Sequence, residues 1–253
     1  MEREPSSDQI GSSWYQPSTL LLHGHLFGWP LDNDRLYRNI KRWEGVVGHM
    51  YLDSHKPPLV TVGAGNMLAS VSAAQALPFV NAKTGRPATK EEVAHAFQKV
   101  TEMSGAHPAS RYRLSPSIEI PEEKIKELAL RRLRTEFIPE IKKLFRRFDD
   151  FPVPAREAII DIAYNAGIGR AESHAHGRAH KATGLHRFHW LKIAIEDADW
   201  MAAARSSHRA SSRPERNQWT RDLFEHAAYL SAFQGRSEQQ WHLLGGKLKP
   251  PFP

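Results

Sequence analysis

The stretch RWEGVVGHMYLDSHKPPLVTVGAGN, Arg42 to Asn66, changes its periodicity part-way along. Up to it, in DNDRLYRNIKRWEG, Leu36, Ile40 and Trp43 recur at the i, i+4, i+7 spacing of one helical face, with Tyr37 beside them. Asp32, Asn33 and Asp34 supply an N-cap and an acidic first turn, Lys41 and Arg42 a basic last turn, and Gly45 a stop. Beyond Gly45 the pattern alternates. HMYLDS and LVTVGAG, separated by HKPP, predict an antiparallel hairpin. Strand side chains alternate, so Val60 and Val62 are expected to point one way and Thr61 the other. Two acids, Glu44 and Asp53, stand nine positions apart at this helix-to-hairpin junction.

Outward from there the chain becomes mixed over 67–120 and then mostly helical. Thr89 and Glu92 form the S/T-x-x-E signature of a helix start in ATKEEVAHAFQKV. GAHPASRYRLSPSIEIP reads as loop with a short strand. Residues 121–148 carry an apolar stripe of Ile125, Leu128, Leu133, Phe137, Ile141, Leu144, Phe145 and Phe148, which Pro139 should kink or divide. VPAREAIIDIAYNAGIG is apolar on most faces, the pattern of a buried central helix. RAESHAHGRAHKATGLHRFH is polar, His-rich and weakly patterned. Helices are expected again at WLKIAIEDADWMAAARSS and PERNQWTRDLFEHAAYL. The division expected is an irregular extension over 1–30, one catalytic domain over 31–235 and a loose tail over 236–253.

The totals bound the function. At 253 residues, 40% hydrophobic and 25% charged, the composition is that of a globular protein with a sizeable core. No run approaches the length of a membrane-spanning helix, and the N-terminal region lacks the pattern of a cleavable secretory signal. There is no cysteine, which removes disulfides, thiolate nucleophiles and cysteine-ligated zinc. A net charge of +7 suits a polyanion: nucleic acid, anionic lipid or a bacterial wall bearing peptide carboxylates. No nucleic-acid-binding motif accompanies it, so nucleic acid is not the expected partner.

Two carboxylates in different environments are what glycosidic hydrolysis needs. One must protonate the leaving oxygen, while the other activates water or stabilises charge on the sugar. Glu44 closes a helix whose C-terminal partial negative charge opposes ionisation, with Trp43 as an apolar neighbour. Asp53, in a polar hairpin, should stay ionised. The plain alternative is two exposed surface charges.

Glu44-Gly45, Tyr51-Leu52-Asp53 and Thr61-Val62-Gly63-Ala64-Gly65-Asn66 together resemble the catalytic stretch of the phage-type lysozyme, or muramidase, family. There a glutamate ends the first long helix, an aspartate follows nine residues on, and a T-[IV]-G-x-G-H strand faces both. Ala163-Tyr164-Asn165-Ala166-Gly167-Ile168-Gly169 is similar to the family's F-N-x-G-x-G helix end. Asp197-Ala198-Asp199-Trp200, then Arg213-Pro214-Glu215-Arg216 leading into Thr220-Arg221-Asp222-Leu223-Phe224, is similar to its closing section. The matches run in order over roughly 32–230. The resemblance implies an α+β, mostly α fold of two lobes: a small antiparallel hairpin lobe and a larger helical lobe. It implies hydrolysis, with inversion, of the β-1,4 bond between N-acetylmuramic acid and N-acetylglucosamine in peptidoglycan. Glu44 would be the general acid, Asp53 the base or water-positioning carboxylate, and Thr61 a holder of the water. Arg216 would be an ion-pair partner of Glu44, while Asn165 and Tyr51 would line the substrate site. No cofactor and no metal are implied.

The chain departs from that family in places. Asp53 and Thr61 are eight positions apart, longer than in the shortest members, with Pro57-Pro58 between them. Asn66 stands where the family usually has histidine. His174, His176, His180, His186 and His189 crowd one segment without the regular spacing of a zinc site. The expected setting is a monomeric antibacterial toxin, of secretion-effector or bacteriocin type. It would be made in the cytoplasm without a cleavable signal, act in the periplasm or wall of a target bacterium, and be held in check by an immunity protein. A phage endolysin, a non-catalytic peptidoglycan-binding module and a basic nucleic-acid binder are the rivals.

Overall fold

A computed structural model describes residues 30–105, 107–175 and 178–233. The expected N-terminal extension and C-terminal tail lie outside these residues, apart from residue 30. The fold is α+β and mostly helical, with a small antiparallel sheet. The chain divides into two compact units, Asp32–Pro139 and the residues from Glu140 on.

In the first unit, helix α1 (Asn33–Glu44) begins at Asp32, whose side chain accepts from the N–H groups of Asp34 and Arg35. It ends at Gly45, where φ is +73°. That value suits glycine and terminates the helix immediately after Glu44. Strands β1 (Val47–Leu52), β2 (Val60–Gly63) and β3 (Asn66–Met67) form an antiparallel sheet in the order β1-β2-β3. The hairpin expected from the alternation therefore has a third, two-residue strand. Its first strand starts and ends two residues earlier than HMYLDS, so Asp53 lies just past the strand, in the connecting loop. Pairing sets Tyr51 opposite Thr61 and Leu52 opposite Val60, with an irregularity between Val47 and Tyr51.

All four residues of β2 are buried, so the sheet is covered on both faces. Val60, Val62, Met50 and Leu52 join Val93, Ala96 and Val100 of α3 (Lys90–Glu102) and Ile125 of α4 (Glu122–Arg132) in one core. Gly63 lets α4 approach: a Cβ there would stand 3.2 Å from Ile125 Cγ2. Between β3 and α3 lie the short helix α2 (Val71–Gln75), capped by Ser70, and Val80–Asn81, which pairs with Ile118–Glu119. Helix α3 opens with the capping box read in the sequence, Thr89 and Glu92 each bonding the other's backbone N–H.

The long charged helix is divided, as Pro139 requires. After Arg132 it widens into a π-turn, Leu133–Phe137, in which the Ile138 N–H reaches back to the Leu133 carbonyl. The α-helix resumes over Ile138–Leu144. Such widening accommodates a residue that lacks an N–H and whose ring would collide with the carbonyl four positions back.

In the second unit the helix Val153–Ala166 is the buried hub its composition indicated, with every residue from Val153 to Ala163 buried. It packs on the long helix Pro214–Phe233, which also packs on Trp200–Ser206. Trp200 meets Phe151 edge-on at 5.0 Å between centroids and stacks on Phe224 at 6.4 Å. In the His-rich segment Ser173–Ala175 and Arg178–His180 pair as antiparallel strands, followed by a 3-10 turn at Gly184–Arg187. Its base is a tight backbone crossing. The Gly167 carbonyl accepts from the Leu185 N–H at 2.8 Å, and Thr183 and Arg170 exchange two further bonds.

Candidate active site

Four of the six residues singled out in the sequence belong to the first unit: Tyr51, Asp53 and Thr61 at the β1–β2 loop end of its sheet, and Glu44 ahead of β1. Tyr51 and Thr61 are cross-strand partners and so share a face, and Asp53 lies two residues beyond Tyr51. The backbone pairing continues past the strand, because the Asp53 N–H donates to the Leu59 carbonyl at 3.0 Å. Glu44 is exposed at the end of α1, immediately before the glycine that turns the chain into β1.

Asp53 organises the loop that follows it. Its Oδ1 accepts from the N–H groups of Leu59 (2.9 Å) and His55 (3.0 Å). Its Oδ2 accepts from Thr61 Oγ1 (3.2 Å) and lies 2.8 Å from His55 Nδ1. Partial burial opposes ionisation, but it is outweighed by the two backbone N–H donors and by the charge and hydrogen bond of His55. The carboxyl is held below the ordinary aspartate value and is ionised at neutral pH. Thr61 is buried, and its hydroxyl also lies 3.2 Å from the Leu59 carbonyl. Pro58, at the far side of the loop, abuts Gly105 so closely that a Cβ on Gly105 would come within 2.6 Å of its ring.

Burial raises the Tyr51 phenol first, and the charges of Asp53 and Glu44 raise it further. Trp43, expected as an apolar wall, carries the Arg42 guanidinium over its ring at 4.5 Å from the centroid. Arg132 donates to the Gly65 carbonyl at 3.0 Å and so fixes the β2–β3 turn next to Asn66.

Asn165 and Arg216 belong to the second unit, Arg216 in a buried polar cluster and the exposed Asn165 at its edge. Arg216 pairs with Asp161, its Nη2 at 2.7 Å and Nε at 2.9 Å from Oδ1. Arg209 Nη1 donates to the same carboxylate at 2.8 Å and to Asn165 Oδ1 at 3.4 Å, while its Nη2 donates to Thr220 at 2.6 Å. Asp161 and Arg209 were not read as site residues. Nothing local marks a pair 48 positions apart.

His55 was the other omission. It follows Asp53 at the i+2 spacing of a side-chain-closed turn, which is a readable local signal. Among the described residues no group of three or more His, Asp or Glu side chains is placed to hold a metal ion. The side chains of His174 and His176 lie outside the described residues. No described helix is long and apolar enough to cross a membrane. No protein-family model matches the chain, and no curated protein matches it either.

Proposed function

We propose that the chain is a peptidoglycan muramidase of the phage-type lysozyme kind, with a small sheet lobe and a larger helical lobe. It would hydrolyse the β-1,4 bond between N-acetylmuramic acid and N-acetylglucosamine, with inversion at the anomeric carbon. Glu44 donates a proton to the leaving oxygen. The Asp53 side of the site activates the attacking water, with Thr61 fixing the carboxylate and Tyr51 contacting the glycan. The reaction needs no cofactor. One observation carries the reading: the first unit sets one carboxylate, Glu44, at the C-terminus of α1 and a second, Asp53, in the loop that follows β1, where four donors hold it ionised. Two acids in unlike settings are the requirement of acid/base glycoside cleavage.

The setting that goes with this reading is an antibacterial toxin acting on the wall of a target bacterium, kept from its producer by an immunity protein. A phage endolysin is the alternative. Mass spectrometry of muropeptides released from purified sacculi tests the chemistry. Wild type should release fragments with free reducing muramic ends, and Glu44→Gln none. Anhydro-muramic ends from wild type would instead mean lytic transglycosylation.

A second reading, a peptidoglycan-binding module without catalysis, draws on the same loop. Both Asp53 oxygens are already engaged within the chain. Retention of sacculi with no release by either protein is the outcome that would favour it.

A further inference from the structure

We propose that the general base of this site is the His55 imidazole, held in place by Asp53, rather than the Asp53 carboxylate itself. The inference rests on the muramidase reading and assigns a catalytic residue within it.

Counting acceptor positions leads there. An ionised carboxylate offers about four lone-pair positions. In Asp53 four donors point at them: the Leu59 and His55 N–H groups at Oδ1, Thr61 Oγ1 and His55 Nδ1 at Oδ2. Thr61 can turn its proton to the Leu59 carbonyl, 3.2 Å away, but its oxygen still stands against Oδ2. The carboxylate is also inward, its side chain 13% exposed, whereas that of His55 is 64% exposed. Water meets the imidazole more readily than the acid behind it.

The tautomer follows from the partner. An ionised carboxylate has no proton to give, so the 2.8 Å contact requires the proton to be on His55 Nδ1. In the neutral ring the lone pair is then on Nε2, on the side away from Asp53. This is the division of labour by which a buried aspartate orients a histidine base and steadies the imidazolium as it forms. In the reaction, Nε2 takes a proton from water while the water oxygen bonds to the anomeric carbon. The bond from that carbon to the leaving oxygen breaks, and Glu44 supplies the proton that oxygen needs. Solvent then carries the proton from the imidazolium back to Glu44. Thr61 is thereby a positioning residue for the carboxylate. Among the described residues, other charged or titratable groups near the loop include Tyr51, on which the Glu44 charge also acts, Lys56 beside His55, and His107 in the segment packed on Pro58.

The test is muropeptide release by wild type, His55→Asn and Glu44→Gln, with the His55 tautomer read by long-range proton–nitrogen NMR. Asn offers an N–H towards Asp53 but no base. His55→Asn should lose muropeptide release by a factor on the order of 10²–10⁴, partly restored by added imidazole. NMR should find the proton on Nδ1, and Asp53→Asn should erase that preference. If His55→Asn stays within a few-fold of wild type, Asp53 is the base and the proposal is overturned. A proton resident on Nε2 alone overturns it irrespective of activity. Should wild type release nothing while the tautomer is as expected, the muramidase reading itself fails and the catalytic assignment falls with it.

Discussion

At Asp53 burial and hydrogen bonding pull in opposite directions, and hydrogen bonding prevails. The folded pKa is therefore below the unfolded value of ~3.9. The stabilisation this ionised group provides is complete above that value and is lost as the pH falls through the lower, folded one. Thermal melts between pH 2.5 and 6 should show the Tm gap between wild type and Asp53→Asn close on acidification; an unchanged gap would mean that the loop does not depend on the charge. From the sequence, ionisation of Asp53 was expected because a hairpin turn is polar. The actual agents are specific donors, two of them N–H groups of a proline-bearing loop that alternation patterns do not describe. Glu44 was legible for the opposite reason. Its place at the helix end follows from Asp32 at one end of α1 and Gly45 at the other, both local signals.

Short-range chemistry also made the elements readable. The Thr89–Glu92 capping box and the division of the charged helix near Pro139 follow from neighbours within a few positions. Strand β3, two residues long, has no such signal, and neither does the coverage of both sheet faces, which comes from helices supplied later in the chain. The crossing beneath the His-rich strand pair is likewise a long-range product with a sharp requirement. A Cβ on Gly169, where φ is +70°, would lie 2.0 Å from the Thr183 carbonyl oxygen, and neither backbone can yield cheaply. Gly169→Ala should cost more than the ~1–2 kcal/mol of an ordinary left-handed alanine. In hydrogen exchange the Leu185 amide, bonded to the Gly167 carbonyl, should lose protection first. Equal protection in the two proteins would show that the crossing can relax.

Across the molecule, each unit contains its own polar keystone. In the second it is Asp161, which faces two buried guanidinium groups, Arg209 and Arg216. Removing the acid leaves two charges desolvated with one acceptor fewer, so Asp161→Ala should destabilise by about 3–5 kcal/mol. Urea unfolding followed by Trp fluorescence measures it, and a loss under 1 kcal/mol would mean that water or rearranged partners replace the carboxylate. In the first unit the keystone is the Asp53 loop, and its seat is Gly105, a residue with no chemistry of its own. The van der Waals contact with Pro58 makes position 105 a mechanical stop for the loop. A lineage that added one methyl group at position 105 would thus shift the loop that presents Asp53 and His55 while leaving both of those side chains unchanged.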